Sequence, residues 1–147
     1  MLFSLLKNLA RVRDNTRTLS FLPERSNAMN ESILTSVKMG VGGIVEMDES
    51  FDDDIILHIN TTLAELIQLG VGPKEGFEIN DKTATWEDFA GNDKRLNMIK
   101  SYTILNVRML FDPPSSGTAA KSFEQQIDKL GWRIREQAGF ETTETED

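Results

Sequence analysis

Apolar side chains recur at helical spacing through most of the chain. Ile55, Ile56, Ile59, Leu63, Leu66 and Ile67 step by three and four, which predicts a helix over residues 53–69. The stripe is wide, as expected of a helix at the centre of a bundle. Leu96, Ile99, Ile104, Val107 and Phe111 form a second stripe, widened by Met98, Tyr102, Leu105 and Met109, and predict a helix over 93–111 buried on two sides. Ala120, Phe123, Ile127, Leu130 and Ile134 mark a third over 118–138, with Trp132 off the stripe. A shorter segment, 31–39, carries Ile33, Leu34 and Val37 on one face. At the start, Leu2, Leu5, Leu6, Leu9 and Val12 give a short amphipathic pattern. No apolar run approaches the roughly 20 residues that span a bilayer, so no membrane partner is expected.

Glycine, proline and acidic residues punctuate these stripes. Gly40–Gly43 should end the first helix, since glycine takes the left-handed cap position cheaply. The acidic run from Asp48 to Asp54 suits the next helix start, where carboxylates cap free N–H groups and meet the positive dipole end. Gly70 and Pro73 close that helix. Residues 77–91 read as a connector, with a short extended piece and one helical turn capped by Thr85 that points Trp86 and Phe89 inward. Pro113, Pro114 and Gly117 separate the last two helices. The expected fold is mostly α: a small helical bundle with long loops and a flexible C-terminal tail. Residues 29–138 form the domain and 139–147 an acidic tail. Residues 1–28 form an N-terminal extension outside the fold; the Ser-Asn-Ala before Met29 matches a tag-cleavage scar, but the preceding Arg17–Arg25 is neither a histidine tag nor a recognition site, so either the match is chance or the extension is native or mis-started.

Charge and composition narrow the chemistry. The net charge is −8, unevenly spread. Residues 1–28 hold five Lys/Arg and two Asp/Glu, a net of +3, and residues 29–147 hold eleven and twenty-two, a net of −11. Such an acidic body opposes tight nucleic-acid binding, which needs cations to displace phosphate counterions. The chain has no cysteine and one histidine, His58. Thiol chemistry and any site needing two histidines are excluded. The run from Gly70 to Lys74 looks like a phosphate loop, but it follows a helix rather than a strand and lacks the required spacing. His58, beside the stripe of its helix, reads as structural or solvent-facing. Asp52, Asp53 and Asp54 read as a helix-start cluster rather than a metal site, since no calcium-loop spacing surrounds them. No catalytic residue, cofactor or metal is expected, and the protein is not expected to be an enzyme.

An apolar excess remains. Met39, Val41, Ile44, Val45 and Met47 flank glycines outside any long helix, and Trp132 and Phe140 lie off the main stripes. Such leftovers serve either as loop cover or as interface anchors.

The run from Phe51 to Pro73, with its "QLGVGP", the element from Thr85 to Ser116, with "TWEDF" and "LFDPP", and the closing helix with "WRI" resemble the head–tail connector (adaptor) proteins of long-tailed bacteriophages. The resemblance covers nearly all of residues 29–138. It implies a structural protein of the virion's head–tail junction, assembled in the host bacterial cytoplasm. It further implies a homo-oligomeric ring of about twelve subunits beneath the portal protein. That ring would receive a head-completion (stopper) or tail protein and pass DNA through its lumen without specific binding. On this reading Phe123, Ile127, Leu130, Trp132, Ile134 and Phe140 dock the portal, and Asp52, Asp53 and Asp54 line the DNA channel. The alternative on the same features is a small helical regulatory or protein-binding module, monomeric or dimeric.

Overall fold

The structure of the protein, a computed structural model, describes residues 30–42 and 48–143, with side chains as far as residue 138. Five α-helices follow in order: α1 (Ile33–Val41), α2 (Asp52–Gln68, preceded by a 3-10 turn, Glu49–Phe51), α3 (Trp86–Ala90), α4 (Leu96–Phe111) and α5 (Gly117–Thr143). Among the described residues there is no strand; the extended backbone is limited to one antiparallel bridge between Ser32 and Thr85. Helix α4 is the hub, packing against α1, α2 and α5. The mostly α bundle expected from periodicity is therefore the observed architecture. The opening amphipathic pattern, Ile44, Val45, Met47, the Phe140 side chain and the last four residues lie outside what is described.

The local reasons for the helices are visible at their ends. The Ser32 hydroxyl accepts from the Thr35 amide at 3.2 Å and starts α1. The helix then passes Gly40 and ends at Gly42 with φ +78°, within the Gly40–Gly43 run expected to stop it. A Cβ at Gly40 would lie 2.7 Å from Ile104 Cγ2. Here glycine keeps α1 close to α4, and only Gly42 serves as terminator. Before α2 it is Asp48 that acts as a side-chain cap, accepting from the Ser50 amide at 2.9 Å and so starting the 3-10 turn. Asp52, Asp53 and Asp54 occupy the first turn of α2, whose N-cap residue makes no side-chain cap bond. Their contribution there is charge against the helix dipole, which corrects the expectation that this cluster also caps.

The connector between α2 and α3 is pinned rather than loose. The Asn60 amide group donates to the Ile79 carbonyl at 3.0 Å and accepts from the Ile79 amide at 2.8 Å, so it imitates a strand neighbour. This holds Ile79 fully buried beside Val71. Thr85 and Asp88 form the reciprocal capping box of α3. As expected, Trp86 and Phe89 face the core. The Trp86 indole N–H donates to Ser36 Oγ at 2.8 Å, which satisfies its buried polar atom.

Helix α4 starts at Leu96, three residues later than its stripe suggested, because Asp93 and Arg95 form a turn of their own. Asp93 Oδ1 accepts from the Arg95 backbone amide at 2.8 Å and from Arg95 Nε at 2.9 Å, and Asp93 Oδ2 accepts from Nη2 at 2.6 Å. Arg95 Nη1 donates to the Ile134 carbonyl at 2.8 Å, and Nη2 to the Gly70 carbonyl at 3.1 Å. One buried guanidinium thus joins the end of α2, the start of α4 and the middle of α5. Helix α5 continues to Thr143, five residues beyond the expected boundary. Its apolar stripe ends near Ala138, but once nucleated a helix gains one hydrogen bond for each further residue fixed.

Burial by itself would raise the Asp93 pKa. Hydrogen bonds from the Arg95 side chain and backbone, and then the Arg95 charge, outweigh it and hold the carboxyl below its ordinary 3.8. A depressed folded-state pKa stabilises the fold fully above the ordinary value, and this is lost as pH falls through the folded one. Asp93→Asn is therefore expected to destabilise the protein at pH 7, and the gap to the wild type should close as pH falls below about 4. Urea unfolding midpoints across that range test this; a gap independent of pH contradicts it.

Candidate docking surface

Helix α5 is the least buried of the long helices. Among its described side chains only Ile134 is fully buried. Phe123, Ile127 and Leu130 are half-buried, the last two packed against the core from outside. The helix comes close to α4 at Gly131, where a Cβ would lie 3.3 Å from the Tyr102 ring. Glycine at that position lowers helix propensity by roughly 1 kcal/mol but lets the two backbones approach.

A groove opens on each side of this contact. One, of about 510 Å³, has Ile104, Leu105 and Leu130 as its apolar floor and Lys129 and Arg133 on its rim, with Ser101 and Gln126. The other, of about 260 Å³, lies among Leu69, Tyr102, Ile127, Asp128, Gly131, Trp132 and Arg135. Trp132, at its lip, is 63% exposed. The Tyr102 hydroxyl donates to Glu65 Oε2 at 3.2 Å. Burial, and then the Glu65 charge, push its pKa up to about 12, so Tyr102 is a neutral donor throughout the physiological range. Further along α4 the Arg108 guanidinium sits 5.1 Å from the Phe123 ring centre.

The structure sorts the sequence candidates. Trp132 is free for a partner, and Phe123, Ile127 and Leu130 offer their outer edges. Ile134 belongs to the core at 0% exposure and is out of a partner's reach in this fold; its periodic position marked the inner face of the helix. The Phe140 side chain lies outside the described residues. In the acidic cluster, Asp52 pairs with the buried Lys38, whereas Asp53 and Asp54 are exposed. His58 is half-buried, edge-on to Phe111 with ring centres 6.5 Å apart. Sequence reasoning missed two exposed leucines, Leu57 and Leu110. It also missed the groove rim. The available signal was Lys129 and Arg133 at i, i+4, flanking Leu130.

Exposed apolar side chains and two grooves along the weakly buried α5 are the features that a docking surface requires. The comparisons narrow this. A family model described as phage connector protein matches residues 33–140, and the chain belongs to that family. Its role is that of a phage head–tail connector, a structural component of the virion that interacts with other virion proteins. No curated protein and no solved structure matches the chain. Among the described residues no helix is long and apolar enough to cross a membrane.

The sorting of α5 is testable by equilibrium unfolding. Ile134→Ala should cost about 2–5 kcal/mol, through lost burial and the cavity left behind. Trp132→Ala should change stability by no more than about 0.5 kcal/mol. Equal costs would show that Trp132 is part of the core.

Proposed function

We propose that the protein assembles into a ring of about twelve copies between the portal and the stopper or tail protein, and that DNA passes through its lumen. The observation that carries this reading is the exposure of α5: a long amphipathic helix, fixed at its middle by Arg95 and Ile134, leaves Trp132 and the edges of Phe123, Ile127 and Leu130 uncovered. Exposed aromatic and aliphatic anchors on a rigid element are what a docking partner needs. The family supplies the setting, and it favours this reading over a free-standing regulatory module. Host cytoplasm is the compartment of assembly.

The portal contact falls on the outer face of α5, with Trp132 as its anchor. Asp53 and Asp54, exposed at the start of α2, face the lumen. An acidic wall repels the phosphate backbone, so DNA slides rather than binds. Asp52 is held by Lys38 and contributes less field.

Two outcomes are expected. The purified chain, weighed in solution alone and with its cognate portal, should form a complex that contains about a dozen of its subunits in at least the second case, once the portal's own mass is subtracted. Trp132→Ala should weaken portal binding at least about tenfold, the scale of a hot-spot truncation. A chain that stays monomeric and ignores the portal would sink the reading. In assembled virions, the double variant Asp53→Asn, Asp54→Asn should slow DNA ejection, and an unchanged rate would remove these acids from the channel.

A further inference from the structure

The larger groove is chemically unlike the rest of the molecule. In a chain of net charge −8, its lining holds two cations, Lys129 and Arg133, and no acid. Neither cation takes part in an ion pair among the described residues. Its floor is apolar. A matching ligand is therefore an acidic segment with an apolar anchor.

The chain carries such a segment. Residues 140–147 contain one aromatic, Phe140, and four carboxylates, with no cation. Within one copy they cannot reach Leu130 or Lys129 of their own groove. Phe140 lies in the same helix as Leu130, ten residues or about 15 Å further along its axis. Residues 144–147 reach at most about 14 Å beyond the helix end, whereas Lys129 lies about 21 Å back from it.

We propose that this groove receives residues 140–147 of a second copy of the chain, with Phe140 on the apolar floor and the carboxylates against Lys129 and Arg133. The contact is head-to-tail: the tip of α5 of one copy meets the α4–α5 groove of the next. Such a heterologous contact closes into a ring when its rotation allows. The proposal deepens the ring reading and rests on it for the second copy. It assigns Phe140 to the contact between copies and leaves Trp132, beside the smaller groove, to the portal.

The test uses the full chain and a fluorescent peptide of residues 139–147. The peptide should bind the dilute wild-type chain, and more weakly as salt is raised. The double variant Lys129→Glu, Arg133→Glu, both exposed positions, should bind it at least tenfold more weakly. A peptide with its acids changed to lysine should regain binding to that variant. In parallel, the masses of both chains are measured with and without the portal. Absence of peptide binding, or equal binding to both chains, overturns the contact. A variant that still forms the ring as the wild type does overturns it too and leaves the ring reading standing. A variant that keeps its ring but loses the portal overturns it and gives the groove to the portal. Rim-dependent peptide binding by a wild-type chain that stays monomeric with the portal upholds the contact and sinks the ring.

Discussion

The Arg95 guanidinium is the point through which three helices are held. It donates to Asp93, to the Gly70 carbonyl at the end of α2 and to the Ile134 carbonyl within α5. A buried cation is tolerable only when its donors are met, and here the partners come from segments far apart in sequence. Removing one partner of such a buried pair typically costs about 3–5 kcal/mol. The core of α1, α2, α3 and α4 is conventional apolar packing. Helix α5 is different: among its described side chains one is fully buried, and the half-buried Ile127 and Leu130 and the close approach of Gly131 to Tyr102 add to what the guanidinium holds. The same arrangement leaves the helix firm at its middle and open along both flanks.

Those flanks are the candidate docking surface. A bundle of this size buries one face of most helices and has little core to spare. Gly40 and Gly131 let α1 and α5 come close to α4, with the Ile104 side chain and the Tyr102 ring packed against the glycine backbones. Trp132 on one side of α5 and the cationic groove on the other present two surfaces of different chemistry. Both suit a member of a family whose proteins interact with other virion proteins.

Much of the bundle was legible in the sequence because helical periodicity and caps are local. The stripes of α2 and α4, the Thr85 capping box and the inward Trp86 and Phe89 all depend on residues within a few positions of one another. The boundaries that differed did so for non-local reasons. Gly40 reads as a stop until α4 is placed against it. Asp93 reads as a helix start until it is seen holding Arg95, whose other acceptors lie 25 and 39 residues away. The acids of α2 look alike in sequence, yet only Asp52 has a buried lysine to meet.

The candidate site divides in the same way. Amphipathicity by itself determined that the last helix would have an inner and an outer face, and composition determined that the body would be acidic and without thiol chemistry. Which apolar residues of that helix were surplus was settled by packing. Ile134 and Trp132 are two residues apart and equally apolar to a composition count, but one is sealed in the core and the other stands in solvent. The groove flanking Leu130 exists only because α5 lies antiparallel on α4, bringing Lys129 and Arg133 beside Ile104 and Leu105. Periodicity is a property of one helix, whereas a groove belongs to two, and their relative placement rests on contacts between residues far apart in the chain.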